Sequence, residues 1–197
     1  MRSKIERVDH RIIFDLIEKG SRVLDLGCGD GQLLELLVKQ KDVKGQGIEL
    51  DDQKIYECVE KGVFALHGDI DSGLAEYSDK SFDYVILNQS IQQVKNVDNV
   101  ISDALRVGNK VIVGMPNFAH YKARFQLFVS GKAPVTDTLP YKWFETPNIR
   151  SFSIADFVEY CKTRKIAIEK SVFYSNNKIT ALLPNVFAES GVFLIHC

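Results

Sequence analysis

The stretch Val23-Leu24-Asp25-Leu26-Gly27-Cys28-Gly29-Asp30-Gly31 reads as the end of a strand, a glycine turn and the start of a helix. Ser21 to Leu26 is a short apolar run with weak alternation, the pattern of a strand buried on both faces. Gln32 to Lys39 is helical in period, with Leu33, Leu34, Leu36 and Leu37 on its inner side. Glycine permits the sharp turn between them and lets a ligand approach main chain that any side chain would shield. The G-x-G-x-G spacing is tighter than the dinucleotide G-x-G-x-x-G, which seats a pyrophosphate on a helix N-terminus. A cofactor that brings no phosphate suits the tighter loop. A glycine turn after a strand also occurs in α/β folds that bind nothing, so the loop needs partners elsewhere in the chain.

Outward from the loop the chain alternates. A helix over His10 to Glu18 precedes it, with Gly20 as a stop signal. Downstream the pattern predicts strands over Gly45–Leu50, Val63–Leu66, Phe82–Leu87 and Lys110–Gly114, and helices over Asp52–Lys61 and Val97–Arg106. Strands alternating with helices at short spacing imply crossovers and a mostly parallel sheet with helices on both faces. In such sheets ligands sit at the carboxyl ends of the strands where the strand order reverses. Glu49 stands there, about 20 residues beyond the glycine loop, where a carboxylate accepts hydrogen bonds from a ribose. Gly68-Asp69-Ile70 follows the third strand, where an acid can receive an adenine amino group, and Asn88 and Gln89 close the fourth. Singly, Glu49 and Asp69 are equally well solvated loop carboxylates. Their order and registration with the loop point to a nucleoside cofactor.

Pro116 to Arg150 breaks the alternation with four of the five prolines, several aromatics and a candidate helix over Tyr121–Val129. Tyr121, Phe125 and Phe128 share one stripe of that helix. The plain expectation is a surface helix packed on the sheet, and the alternative is a docking helix for a partner enzyme. Ser153 and Asp156 form a capping-box pattern with Phe152 and Phe157 at staple positions, opening a further helix. Ile166–Tyr174 and Gly191–His196 supply two late strands.

The whole chain agrees with this reading. At 197 residues, 45% hydrophobic and 26% charged, it suits one domain over residues 1–197, with an insertion at about 116–150. A net charge of -1, spread along the sequence, gives no reason to expect a nucleic acid or membrane partner. Cys28, Cys58, Cys161 and Cys197 are too scattered for a zinc site or a disulfide framework. Met1 to Val8 is charged and unlike a signal peptide, and no apolar run is long enough to span a bilayer, so a cytoplasmic location is expected.

These residues resemble the class I S-adenosylmethionine-dependent methyltransferases from Ser21 to about Gly114, and again at the two late strands. That resemblance implies a Rossmann-like, seven-stranded, mostly parallel sheet whose last strand is antiparallel and lies beside the fifth, with the insertion at about 116–150 covering the acceptor side. It implies S-adenosylmethionine or S-adenosylhomocysteine as cofactor, with Asp25, Gly27, Cys28 and Gly29 at the methionine end. Glu49, with Leu50 beside it, would hold the ribose, Asp69 and Ile70 would flank the adenine, and Asn88 would close the crevice. Pro116-Asn117-Phe118-Ala119-His120, Pro134-Val135-Thr136, Leu139-Pro140-Tyr141-Lys142-Trp143-Phe144, Thr146-Pro147-Asn148-Ile149 and Leu183-Pro184-Asn185 are similar, more narrowly, to the MetW family of methionine biosynthesis. That likeness implies a homoserine O-acyltransferase as partner.

Chemistry beyond binding has no signature. The chain lacks an Asn-Pro-Pro-aromatic stretch and a Pro-Cys nucleophile. His120, with an ordinary pKa near neutrality, and Tyr141 are the candidate catalytic groups, and each is as readily an anchor of the insertion. Cys28 reads as small packing within the loop, not as a nucleophile. Two functions stay open: a regulatory partner of the acyltransferase that binds S-adenosylmethionine, and an active methyltransferase on a small molecule.

Overall fold

The computed structural model describes residues 7–197; the charged start of the chain, residues 1–6, lies outside the described residues. Helices α1 (Val8–Leu16), α2 (Gln32–Lys41) and α3 (Asp52–Glu60) alternate with strands β1 (Arg22–Leu26), β2 (Lys44–Glu49) and β3 (Ala65–His67). Strand β4 (Phe82–Asn88), α4 (Val97–Val107) and β5 (Gly108–Pro116) follow. The remainder comprises α5 (Tyr121–Ser130), α6 (Ile154–Thr163), β6 (Ala167–Ser175), β7 (Lys178–Ile179), α7 (Pro184–Phe187) and β8 (Ser190–His196).

Among the described residues, eight strands join one sheet in the order β3-β2-β1-β4-β5-β8-β6-β7. β1 pairs in parallel with both β2 and β4, so the order reverses beside the glycine turn. β8 runs antiparallel between β5 and β6, as the methyltransferase resemblance implied for the last strand. The eighth strand is a correction to the expected seven. β7 is a two-residue edge strand that folds back on β6 through Asn176 and Asn177, both in the left-handed region at φ 47 and φ 61. Two positive-φ residues between paired strands make the tight hairpin whose twist matches the strands, and asparagine tolerates that conformation better than most residues.

Strand alternation divides the core into two layers. Val85, Leu87, Val111, Val113 and Phe193 pack under α4 and α6. Their neighbours Tyr84, Ile86, Ile112, Val192 and Leu194 point to the other face, under α1 and α2. Period-2 side chains that are apolar on both faces require helices on both sides, which is the arrangement found. The capping box at α6 is complete: the Ser153 side chain accepts from the Asp156 backbone, and the Asp156 side chain accepts from the Ser153 backbone at 2.8 Å. Helix α1 starts and ends two residues earlier than its apolar spacing predicted. Ile17 leaves it in extended conformation and is buried, so the chain turns toward β1 before Gly20 is reached.

No described helix is long and apolar enough to cross a membrane.

Candidate functional site

A cavity of about 440 Å³ opens at the carboxyl ends of β1, β2 and β4, at the point of strand reversal. Asp25, Gly27, Cys28, Gly29, Glu49, Leu50, Asp69, Ile70 and Asn88 all lie in its wall. The glycine loop is pinned to β2, with the Gly27 and Cys28 amides donating to the Ile48 carbonyl at 2.8 and 3.1 Å. Gly27, Gly29 and Gly31 all have positive φ, which bars ordinary side chains there without strain. At Gly27 a Cβ would stand 2.9 Å from the Ser90 Cβ, whereas at Gly29 it would meet nothing within 4 Å. Gly29 therefore leaves bare backbone beside open space, a cradle that a ligand can approach.

Glu49 ties the loop to the second strand. Its Oε2 accepts from the Gly29 amide at 2.8 Å, and its Oε1 accepts from the Leu50 and Asp51 amides at 3.0 and 3.1 Å. A carboxylate offers about four lone-pair directions. Three are thus engaged with backbone donors, which orient the group and leave acceptor capacity toward the cavity.

Asp25 is 3% exposed beneath the loop. Burial, reinforced by the nearby Glu49 carboxylate and opposed by Arg7, pushes its pKa from 3.8 to about 7. A carboxyl whose folded pKa exceeds its unfolded one holds a proton that the unfolded chain has released, so stability falls as pH rises from 3.8 to about 7. Asp25→Asn removes that ionisation. The variant is expected to melt above the native chain at pH 8, with the difference closing as pH drops toward 4. Thermal scans across this range check it, and a difference independent of pH would refute it.

The N-terminal helix supplies residues that the sequence pattern did not place here. Arg7 and His10 line the cavity. Arg7 forms a two-point ion pair with Asp9, at 3.1 and 2.5 Å, and Asn88 Nδ2 donates to Asp9 Oδ2 at 2.9 Å. Burial, with Arg7 beside it, holds the His10 pKa below its usual value, so the ring is neutral at pH 7. The Asn88 Oδ1 and Ser90 Oγ atoms are buried without hydrogen-bond partners among the described residues. Asn88 and Asp9 are 79 positions apart, and no local signal links them.

Cys28 packs against β2 and α3. Its Sγ is 4.0 Å from that of Cys58, and a Cβ at Gly47 would stand only 2.4 Å from it. Burial raises its pKa far above the usual thiol value, which suits packing and not nucleophilic attack. His120 and Tyr141 are not brought to the cavity. His120 stands at the residue before α5 without a capping side-chain hydrogen bond, buried with its ring 4.5 Å from that of Tyr121, and burial lowers its pKa. Tyr141 is half exposed in the insertion. Among the described residues none from 116–150 lines the cavity, and no three His, Cys, Asp or Glu side chains gather to hold a metal.

The family model described as "Methionine biosynthesis protein MetW" matches residues 7–195. The chain belongs to the MetW family. A curated relative from Rhodopirellula baltica, the "Bifunctional methionine biosynthesis protein MetXA/MetW", is 32% identical over 202 residues. That alignment covers 96% of this MetW-family chain and 32% of the relative. A demethylmenaquinone methyltransferase from Lactobacillus johnsonii is 32% identical over 99 residues, 46% of this chain and 41% of that protein. The chain thus spans well under half the length of either curated relative. Among solved structures, an S-adenosylmethionine-dependent methyltransferase from Mesorhizobium loti superposes with a TM-score of 0.70 at 15% identity, covering 98% of this chain and 99% of its own. One from Thermotoga maritima gives 0.67 at 17% identity, with 95% and 87% covered. At those identities the solved structures share the fold: this MetW-family chain has the Rossmann-like methyltransferase architecture.

Proposed function

We propose that this MetW-family chain binds S-adenosylmethionine, or S-adenosylhomocysteine, in the cavity at the strand reversal. We further propose that it supports a homoserine O-acyltransferase of methionine synthesis by direct contact. The observation that carries the first part is the convergence of the bare Gly29 backbone, the oriented Glu49 carboxylate and Asp69 on one cavity. In this reading Asp25, Gly27, Cys28 and Gly29 line the methionine end. Glu49 accepts from the ribose with Leu50 alongside, Asp69 and Ile70 flank the adenine, and Asn88 closes the crevice. The bound cofactor supplies a methyl group on a cationic sulfonium. The protein's part is to bind and orient it, and Asp25, when ionised, places a negative charge at that end.

The partner half rests on the relative whose name joins MetXA and MetW in one polypeptide. Two activities joined in one chain work at an effective concentration of about millimolar. Where they are separate proteins, contact must supply the association. S-adenosylmethionine is made from methionine, so a chain that binds it beside an early enzyme of the same synthesis reports the end product back to the start. The test is the acyltransferase rate and complex affinity with this chain added, while S-adenosylmethionine is titrated from none to saturation. Both are expected to shift with the cofactor. A complex indifferent to S-adenosylmethionine over physiological concentrations would sink the feedback role.

Methyl transfer to a small molecule is the second reading, and one observation favours it: His10, held neutral, is a base in the cavity wall. Formation of S-adenosylhomocysteine with a candidate acceptor, lost in His10→Ala, separates this reading from the first.

A further inference from the structure

Helix α5 is built the wrong way round for a helix that only packs on its own sheet. Of its ten residues Ala123 alone is buried, at 1% exposure, while Phe125, Leu127, Phe128 and Val129 face solvent. Phe128 is 88% exposed. The expected inward packing of the Tyr121, Phe125 and Phe128 stripe is therefore overturned: the stripe points outward. A helix this short is marginal in water by itself. Its supports are polar straps. Gln126 pairs with both backbone groups of Val135, at 2.9 Å each, and Lys122 bridges Asp137 and Glu189 at 3.2 and 3.3 Å. These straps hold the helix in place while leaving its aromatic face free.

The apolar surface continues beyond the helix. The Tyr121 ring lies 6.2 Å from Phe187, and Arg124 donates to the Asn185 carbonyl at 3.3 Å, so the exposed Phe187 of α7 borders the stripe, and the exposed Leu183 directly precedes that helix. Contiguous apolar surface of this kind marks a place of association, and aromatic side chains are its usual anchors. Strand β5 ends at Pro116 just before α5, and its Gly114 carbonyl accepts from the Gln89 amide at 2.8 Å, next to Asn88 of the cavity wall.

We propose that this face of α5, with Leu183 and Phe187, is where the O-acyltransferase docks. The inference rests on the partner reading above and adds the surface that carries it. The occupant is argued from the fused relative, in which a MetXA part accompanies the MetW part, and from charge. Helix α5 has no acidic residue and carries the exposed cations Arg124 and, just beyond it, Lys132, so the matching surface is an apolar pocket rimmed by carboxylates.

The test is titration of the separately purified homoserine O-acyltransferase of the same organism with this chain and with a Phe125→Ser, Phe128→Ser double variant. Melting temperature and S-adenosylmethionine affinity are measured alongside. Both side chains are already in water, so the double variant is expected to keep its melting temperature and cofactor affinity while losing at least tenfold in affinity for the acyltransferase. Undiminished affinity overturns the assignment of this surface and leaves the partner reading standing. Failure of the native chain to bind the acyltransferase, with or without S-adenosylmethionine, overturns both. A native dimer that the double variant breaks, seen by sedimentation, makes the occupant a second copy of this chain and overturns the proposal.

Discussion

Replacing Glu49 by alanine should weaken S-adenosylmethionine binding by at least tenfold while leaving the fold intact. Glu49 is the carboxylate proposed to receive the ribose on the lone-pair direction that the backbone amides leave free, and a hydrogen bond to a charged group contributes about 1.5–3 kcal/mol. Its loss corresponds to about one to two decades in affinity. The substitution also frees the Gly29, Leu50 and Asp51 amides that Glu49 now holds. Glu49→Gln keeps one acceptor oxygen, enough for the Leu50 and Asp51 amides, but its NH2 group cannot accept from Gly29 and it carries no charge. The glutamine variant should lose affinity as well, with a smaller loss of melting temperature than the alanine variant. Calorimetric titration of the native chain and both variants with S-adenosylmethionine and S-adenosylhomocysteine decides it. Affinities within threefold of native for both variants would remove Glu49 from the site.

Phe193→Ala should be the most damaging single truncation of the fold. The ring is fully buried between α6 and β6, 4.8 Å from Phe157 and 5.6 Å from Phe173 by ring centroids. Phe193 also lies on β8, the antiparallel strand inserted between β5 and β6, so the cavity it leaves opens where the late strands join the parallel sheet. Emptying such a position costs about 3–5 kcal/mol. For a chain of this size that amounts to a fall of roughly 10 °C or more in melting temperature. Phe128→Ala is the matched control. The same truncation on an exposed ring removes no buried contact, and its melting temperature should stay within a degree or two of native, on the order expected for surface changes. Equal losses in the two variants would mean that the α5 face is covered in solution or that the core is not packed as described.

Much of the cavity was legible before any tertiary structure. The loop from Asp25 to Gly31, Glu49 at the end of β2, Asp69 and Ile70 after β3, and Asn88 at the end of β4 all come to one cavity wall. This works because a parallel sheet puts every strand's carboxyl end on the same edge, so position along the alternating pattern is also position in space. The Ser153–Asp156 capping box was legible for a similar reason, since its hydrogen bonds span three residues. The β7 hairpin was missed although its signal is local. Asn176-Asn177 is a turn dipeptide, but a two-residue strand has too little alternation to be recognised by period.

Other features had no local signature at all. The Arg7–Asp9–Asn88 link joins the N-terminal helix to the end of β4 across most of the chain, and nothing in the spacing of Arg7 or His10 distinguishes them from other charged residues of an amphipathic start. The raised pKa of Asp25 depends on how deeply the loop and Glu49 enclose it, which is a property of packing. The face of α5 is the clearest case. Periodicity put Tyr121, Phe125 and Phe128 on one stripe, but a helix with an apolar stripe satisfies the same pattern whether the stripe meets its own sheet or solvent. The sequence by itself determined the order of strands and helices, the glycine loop and the acids at the strand ends, because these follow from short-range stereochemistry and the one-sided geometry of parallel crossovers. Only the tertiary structure decided what closes the cavity from the N-terminal side, how strongly Asp25 resists ionisation, and that the aromatic stripe of α5 turns outward, because burial is set by elements distant in the chain.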